Sequence, residues 1–276
     1  MKEIADKLLE AINSKIEDEQ EDGRRDHLGA SLIGRECLRE LYYTWRWATD
    51  RKFDARMIRL FNRGHLEEDR FIEWLKGVCD EVWPIDPRTG KQIRIEEFKG
   101  YFGGSLDAVI QNPAGYKGNF LGEFKTHNDA SYKKVTMKGV REAKPEHYTQ
   151  MQIYLYYKPR LVGALYFAIN KNDDSLYIEF VGRDEDEAIR SLNKAKTVLL
   201  SPEPPARFDA ASEYNFYCNK FCDHGSVCWK NKAPAVSCRT CTFVKPTDEG
   251  WKCTKHEVIL DSQAQRDGCK EYERLF

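Results

Sequence analysis

The chain has 276 residues, 44 of them basic and 45 acidic, so its formal net charge is −1. A chain this close to neutral would have to hold a nucleic acid in a local groove, and its composition neither supports nor excludes DNA as a partner. It has no apolar run near ~18 residues, and its first residues, MKEIADKLLEA, lack the apolar segment of a signal peptide. We therefore expect no membrane partner and a cytoplasmic protein.

Helices are predicted first along the chain. Apolar spacing indicates a surface helix over residues 4–16, and Ser31 is a candidate N-cap for a helix over residues 32–47. Asp54 is a candidate N-cap for a longer helix that ends near Cys79. On that helix, His65 and Glu68 fall on the predicted core face.

Strands and further helices follow. Residues 105–110 and 119–126 are predicted to pair as a hairpin, because the intervening Asn-Pro-Ala-Gly is a turn signal. Other predicted strands are 82–85, 92–98, 161–170 and 176–181, and other predicted helices are 145–157 and 184–200. Residues 129–138 are predicted to form a short helix or a loop. The first two of these strands are expected to extend the sheet that holds Asp107. Prolines at 202, 204 and 205 mark a boundary, so we predict a core over residues 1–200 and a cysteine-rich extension over 201–276.

Charged residues on the hairpin suggest a catalytic site. Asp107 interrupts an apolar run, and strand alternation places Glu123 and Lys125 on one face. Two carboxylates can bind a divalent cation, and a lysine beside them can orient or deprotonate an attacking water. The alternative is a solvated hairpin edge that carries ordinary surface charges.

The residues Asp107 and Glu123-Phe124-Lys125 resemble the signature of the PD-(D/E)XK nuclease superfamily, although Leu106 replaces the usual proline. The order of Gly64-His65, these acids and Gln150-x-x-x-Tyr154 is similar to its RecB-like branch. The resemblance implies an α/β fold: a restriction-endonuclease-like core with a mixed central sheet and flanking helices, plus the cysteine-rich extension.

The resemblance also implies roles for these residues. His65, Asp107, Glu123 and the Phe124 carbonyl would bind Mg²⁺ or Mn²⁺, and Lys125 would position the water, with Gln150 and Tyr154 also in the site. From the residues alone, His65 could instead be a hydrogen-bonded core histidine. Glu68 could be a snorkelling charge, or could contact the metal ligands or the DNA end. Basic residues are the expected phosphate contacts, with a solvated face as the alternative, and they are Lys133, Lys134, Lys138, Arg141, Lys144 and Lys171.

Nine cysteines in a chain without a secretory signal suggest thiolate metal sites, because disulfides are rare in reducing compartments. Cys79 is interpreted as a buried helix thiol. Resemblance to the iron–sulfur nucleases of the RecB-like group implies a [4Fe–4S] cluster on Cys37, Cys218, Cys222 and Cys228. The remaining set is predicted to bind zinc, with His256 as a competing ligand, and it comprises Cys238, Cys241, Cys253 and Cys269. The alternatives are that these four are free thiols of a short tail or that they join the cluster.

The expected function is metal-dependent exonuclease action at DNA ends in recombination, repair or viral DNA processing, as the resemblance to RecB-like and viral recombination exonucleases implies. A single-strand annealing or recombination protein is the expected protein partner. The alternatives are a structure-specific endonuclease of a CRISPR or repair complex and a non-catalytic DNA-binding assembly module.

Overall fold

The structure is a computed structural model that describes residues 2–20, 23–50, 52–207 and 216–276. Its α-helices are α1 (Lys2–Asp18), α2 (Leu38–Trp45), α3 (Ala55–Leu75), α4 (Asp129–Ala143), α5 (Pro145–Tyr157), α6 (Glu185–Leu200), α7 (Phe216–Lys220), α8 (Gly225–Lys230) and α9 (Ser262–Asp267). Its strands are β1 (Leu28–Gly29), β2 (Glu81–Trp83), β3 (Ile85–Asp86), β4 (Lys91–Gln92), β5 (Arg94–Glu97), β6 (Phe102–Ser105), β7 (Ala108–Gln111), β8 (Asn119–His127), β9 (Leu161–Asn170), β10 (Leu176–Val181), β11 (Val244–Thr247), β12 (Gly250–Cys253) and β13 (Val258–Leu260). No helix among these residues is long and apolar enough to cross a membrane.

The described chain forms two compact units. Unit 1 comprises Met1–Gly23, Arg51–Arg94 and Ser105–Asp184, and unit 2 comprises Arg24–Asp50, Ile95–Gly104 and Glu185–Phe276. These units interleave along the sequence, whereas the predicted division places a single boundary after residue 200. Residues 24–50 and 95–104 cluster with the cysteine-rich C-terminal part.

Unit 1 contains a mixed five-stranded sheet in the order β10-β9-β8-β7-β2. β8 and β9 are parallel, and the other neighbours are antiparallel. α3 covers one face, where Phe71 packs against Phe124 and Phe167 in the core. α4 and α5 contact β8 and β9. The hydroxyl of Tyr166 in β9 contacts His147 of α5. The predicted α/β class, with a mixed central sheet and flanking helices, is confirmed.

Unit 2 contains two small sheets. β1 runs parallel to β6 in the order β1-β6-β5, and β11, β12 and β13 form an antiparallel meander. Two buried arginines pack against aromatic rings in this unit. The guanidinium carbon of Arg46 lies 4.9 Å from the Trp251 ring centroid, and that of Arg239 lies 4.7 Å from it. The predicted cysteine-rich C-terminal region belongs to this unit.

Two N-cap residues were predicted, Ser31 and Asp54, and the first is wrong. Asp54 caps α3 by accepting a hydrogen bond from Met57 N, as predicted. The next helix upstream does not begin at Ser31, because residues 31–37 form turns and Cys37 supplies the cap of α2 through its sulfur. α3 ends at Leu75, so Cys79 follows the helix, and its half-buried thiol packs against the unit 1 core.

The predictions for strands were correct for the hairpin and partly wrong around it. β7 and β8 pair antiparallel across the predicted turn. Asp107 lies in the break between β6 and β7, because the chain leaves one sheet at Ser105 and joins the other at Ala108. Of the two strands expected to extend the sheet, β2 pairs with β7, but the second lies in β5, which pairs with β6.

Candidate active site

Strand β8 places two charged side chains of the candidate site side by side. Glu123 and Lys125 are two residues apart and therefore project from the same face of the strand. The Lys125 ammonium lies 2.5 Å from Glu123 Oε1. This pairing confirms the expected shared face.

Asp107 reaches the same ammonium from the break before β7. Its Oδ2 accepts a hydrogen bond from Phe124 N at 2.8 Å and lies 3.4 Å from Lys125 Nζ. Lys125 Nζ also donates to the Phe124 carbonyl at 3.0 Å. Three oxygens, from Asp107, Glu123 and the Phe124 main chain, therefore surround one positive charge. They are three of the four groups that the sequence resemblance named as metal ligands.

Glu123 is the most deeply buried member of the group. Its side chain is 0% exposed, and the Lys125 ammonium is its ion-pair partner. Burial and the charge of Asp107 raise the pKa of Glu123, and the ion pair with Lys125 opposes that rise. An unsatisfied buried carboxylate is costly unless a cation compensates for it. The donor set thus fits a hard divalent cation, which oxygen ligands prefer.

Lys125 is the cation that these oxygens hold in the structure. Burial alone would lower the pKa of its ammonium, but the charges of Asp107 and Glu123 outweigh burial and raise it. The lysine lies between the three oxygens. Its positive charge neutralises the carboxylates there, as the charge of a bound metal ion would. Among the described residues, no three His, Cys, Asp or Glu side chains are already arranged to hold a metal ion.

Helix α3 brings a further carboxylate to the site. Burial, and next the charge of Asp107, raise the pKa of Glu68, so this carboxylate is close enough to Asp107 to feel its charge. The expected core-face position of His65 is wrong, because its side chain is 77% exposed and lies at the solvent side of the helix. His65 Nδ1 is 3.7 Å from Glu68 Oε1, which places it at the edge of the site. Glu67 is the buried acid of this turn and pairs with Arg70.

Helix α5 contributes the Gln-x-x-x-Tyr pair. It runs over Pro145–Tyr157, as predicted, and its residues 148–155 are all buried. Gln150 Nε2 donates to the Tyr154 hydroxyl at 3.2 Å. Burial, followed by the charge of Glu123, raises the pKa of Tyr154, so this phenol is a neighbour of the acidic cluster. Both predicted residues therefore lie beside the carboxylates.

A cavity of about 310 Å³ opens beside these groups at the carboxyl end of β8. Its lining comprises Gly64, Glu67, Glu68, Phe71, Phe124, Lys125, Thr126, His127, Lys144 and His147. Carboxylates from α3 thus face basic and imidazole groups from β8 and α5 across one opening.

Two histidines in this lining were missed by sequence reasoning. His127 Nδ1 contacts Ser131 Oγ at 3.0 Å, and His127 Nε2 contacts the Tyr166 hydroxyl at 2.8 Å. The same hydroxyl contacts His147 Nδ1 at 2.9 Å. Burial, and then the nearby lysines, lower the pKa of His127 to about 4, which keeps its imidazole neutral. The alternation 123, 125, 127 along β8 was the available signal for His127.

The basic residues predicted to contact DNA are mostly paired on the surface of α4. Lys133 pairs with Asp129 at 2.8 Å, and Lys138 pairs with Glu142 at 2.5 Å. Arg141 pairs with Asp184 at 3.1 Å. Lys134 is exposed. The main chain of Lys171 donates a hydrogen bond to the His127 carbonyl and accepts one from the Arg63 side chain. Lys144, which follows α4, is the one of the predicted basic residues that lines the cavity.

The cysteines predicted for an iron–sulfur cluster all belong to unit 2. Burial, and then the charges of nearby groups that include Cys37 and Cys218, raise the pKa of Cys222 to about 12. These three thiols are thus close neighbours. Cys228 lies in α8 and is near Tyr43, whose pKa is raised by burial and, to a smaller extent, by Cys228.

Neither a protein-family model nor a curated protein matches the sequence. Among solved structures, the chain is similar to SSO0001, with 16% identity and a TM-score of 0.45 over 83% of this chain and 98% of that chain. It is also similar to LHK-Exo in complex with dAMP, with 18% identity and a TM-score of 0.47 over 64% of this chain and 87% of that chain. A further structure of the alkaline exonuclease LHK-Exo, from Laribacter hongkongensis, is similar with 18% identity and a TM-score of 0.40, over 64% of this chain and 87% of that chain. Similarity at this distance assigns no activity to the chain.

Proposed function

We propose that this chain is a metal-dependent nuclease that hydrolyses phosphodiester bonds at DNA ends. The observation that carries the proposal is the convergence of Asp107, Glu123 and the Phe124 carbonyl around the Lys125 ammonium. A solvated hairpin edge does not account for it, because Glu123 is fully buried and is paired there with Lys125. Burying that charge is understandable if its position serves chemistry.

A bound Mg²⁺ or Mn²⁺ would supply Lewis-acid stabilisation of the charge that develops on the phosphate oxygens. Asp107, Glu123 and the Phe124 carbonyl would hold it, with exposed His65 as a fourth ligand that reaches in from α3. Lys125 keeps a positive charge beside the reacting phosphate and orients the attacking water. Tyr154, fixed by its hydrogen bond from Gln150, excludes bulk water from the buried side of Glu123.

The cavity beside the acids provides room for the DNA end. Lys144 supplies a positive charge for phosphate, and Lys134 on the outer surface of α4 could extend that contact along the strand. Lys133, Lys138 and Arg141 would have to leave their surface carboxylate partners to contribute. Such pairs are weak in water, so exchanging a carboxylate for a phosphate costs little.

A [4Fe–4S] cluster on Cys37, Cys218, Cys222 and Cys228 is part of the same proposal. Cysteine thiolates are the usual ligands of such clusters, and the mutual influence of the first three thiols supports their use together. The cluster's role would be structural, since it would tie α2 to the segment that carries α7 and α8 within unit 2.

The decisive experiment compares end-labelled linear DNA with closed circular DNA in Mg²⁺ or Mn²⁺. We expect mononucleotides or short products from linear DNA and no cut in the circle. Cleavage of the circle would favour the structure-specific endonuclease. Binding without cleavage of either substrate would favour the non-catalytic assembly module. Asp107→Asn serves as the inactive variant, and Asp186→Asn on the exposed face of α6 is the matched control.

A further inference from the structure

A second cavity, of about 300 Å³, lies in unit 2 and is lined by four cysteines. Cys238 starts a short 3-10 turn that leads to Cys241, Cys253 ends β12, and Cys269 follows α9. The first three are buried and the last is exposed, and all four are free thiols. Separate elements thus bring sulfur atoms to one space.

The four cysteines border a single space, because Cys238, Cys241, Cys253 and Cys269 all line this one cavity. Four cysteine thiolates are a donor set that zinc takes in closed structural sites. The thiols would lose their protons on coordinating the metal, so binding would couple to the folding of this segment.

We propose that Cys238, Cys241, Cys253 and Cys269 bind one structural Zn²⁺. A Cys-x-x-Cys turn followed by a small antiparallel sheet is typical of closed tetrathiolate zinc sites. His256 also lines the cavity, but its Nε2 lies 3.1 Å from Glu271 Oε2. The imidazole is therefore engaged by a carboxylate, and the four thiols form the ligand set. This site is separate from the acidic cluster of unit 1 and does not depend on the nuclease proposal.

Closing the site requires small side-chain movements. The thiols line the cavity without forming a metal-binding arrangement among the described residues. Rotation about χ1 moves a sulfur by a few ångströms, and the exposed side chain of Cys269 is the least restricted of the four. Zinc binding thus fixes the C-terminal segment to the sheet that carries Cys253.

The metal would also fix a central residue of unit 2. Arg239 lies between Cys238 and Cys241 in the turn, and it is only 1% exposed. It donates to the Trp45 carbonyl at 3.2 Å, and its guanidinium lies 3.7 Å from the Trp47 ring centroid. Because two zinc ligands flank this arginine, the metal would hold the turn that directs it into the core. Zinc should therefore stabilise unit 2 as a whole.

Metal analysis of the purified full chain tests the proposal. Wild-type protein should carry about one zinc per chain, as a tetrathiolate site requires. Cys253→Ser should lose that zinc and keep its iron, whereas Cys79→Ser, which removes a half-buried thiol of unit 1, should keep both. Wild-type zinc in Cys253→Ser, or iron in place of zinc at this site, would overturn the assignment.

A second measurement needs no variant and covers the case in which Cys253→Ser fails to fold. The wild-type chain is alkylated with N-ethylmaleimide before and after zinc removal, and the labelled cysteines are identified by mass spectrometry. Cys238, Cys241, Cys253 and Cys269 should be protected in the zinc-loaded protein and labelled after chelation. If exposed Cys269 is labelled at the same rate with and without zinc, it is not a ligand and the proposal fails.

Discussion

The Lys125 ammonium donates to the carbonyl of its own neighbour, Phe124, at 3.0 Å. This contact uses an oxygen that we assign to a metal ion. The same ammonium pairs with Glu123 and Asp107, so a lysine and a divalent cation would compete for one set of oxygens. A metal ion bound to these oxygens would displace the Lys125 ammonium from its present position.

Replacing this lysine should separate metal affinity from catalysis. We expect Lys125→Met to bind Mn²⁺ about 3- to 10-fold more tightly, because a competing positive charge is removed from the ligand oxygens. Cleavage should nevertheless fall at least ~100-fold, since the group that stabilises the transition state is lost. Titration calorimetry measures the first effect and end-labelled DNA the second.

Asp107→Asn provides the opposite control for that experiment. Loss of a ligand carboxylate should weaken both Mn²⁺ binding and cleavage, while DNA binding persists. If Lys125→Met lost Mn²⁺ affinity as Asp107→Asn does, the lysine would not occupy the metal position.

His65 and Glu68 give a second test of the metal site. His65→Ala should raise the Mn²⁺ concentration for half-maximal cleavage by ~10-fold or more, since loss of a ligand costs at least as much as loss of a residue behind it. Its thermal stability should stay within ~0.5 kcal/mol of wild type, because the side chain is 77% exposed.

Glu68→Ala is the matched variant from the same helix. Its carboxylate is near Asp107 but belongs to no proposed ligand set, so its loss should leave the Mn²⁺ requirement nearly unchanged. A metal titration that shifts for Glu68→Ala and stays fixed for His65→Ala would transfer the ligand role to the acid.

The sequence predicted the parts of the site that depend on local patterns. Strand alternation placed Glu123 and Lys125 together, and Pro145 fixed the start of α5. Helical spacing misplaced His65, because the apolar residues of α3 define its buried face only roughly and Glu67 turns inwards instead. A buried acid can replace an apolar residue when Arg70 pairs with it, and spacing alone does not reveal that partner.

Long-range relationships were beyond sequence reasoning. The Tyr166 hydroxyl joins His127 and His147, yet these residues come from β9, β8 and α5. Nothing near Tyr166 in the sequence marks it as a hydrogen-bonding centre. The interleaving of the two units was also not predictable from the sequence. Residues 95–104 belong to unit 2, and β6 in this stretch pairs with β1, about 70 residues upstream.

The proposed role of Cys37 as a cluster ligand can be tested separately from its role in the helix. Its sulfur accepts a hydrogen bond from Glu40 N and caps α2. Serine is a good N-cap, so Cys37→Ser should keep the helix cap but lose the cluster. Cys37→Ala should lose both the cap and the cluster, and its free energy of unfolding should be about 1 kcal/mol lower than that of Cys37→Ser.

Visible absorption and iron content measure the cluster in these variants. Anaerobically purified wild-type protein should be brown and carry about four iron atoms per chain. Cys37→Ser should be colourless, and Cys79→Ser should remain brown. A brown Cys37→Ser protein would remove Cys37 from the ligand set.

The buried imidazole of His127 should make the fold sensitive to acid. Burial lowers the pKa of His127 to about 4 in the folded chain, whereas an unfolded histidine titrates near ~6.5. The unfolded chain therefore binds the proton first as the pH falls, so stability is full above pH ~6.5 and declines towards pH ~4. The loss from this residue should reach about 3 kcal/mol, at ~1.4 kcal/mol for each pKa unit. Thermal unfolding of wild type and His127→Gln over this pH range measures it, with exposed His65→Gln as the control. His127→Gln should show the shallower decline, and parallel curves for wild type and His127→Gln would mean that this imidazole is not held neutral by the fold.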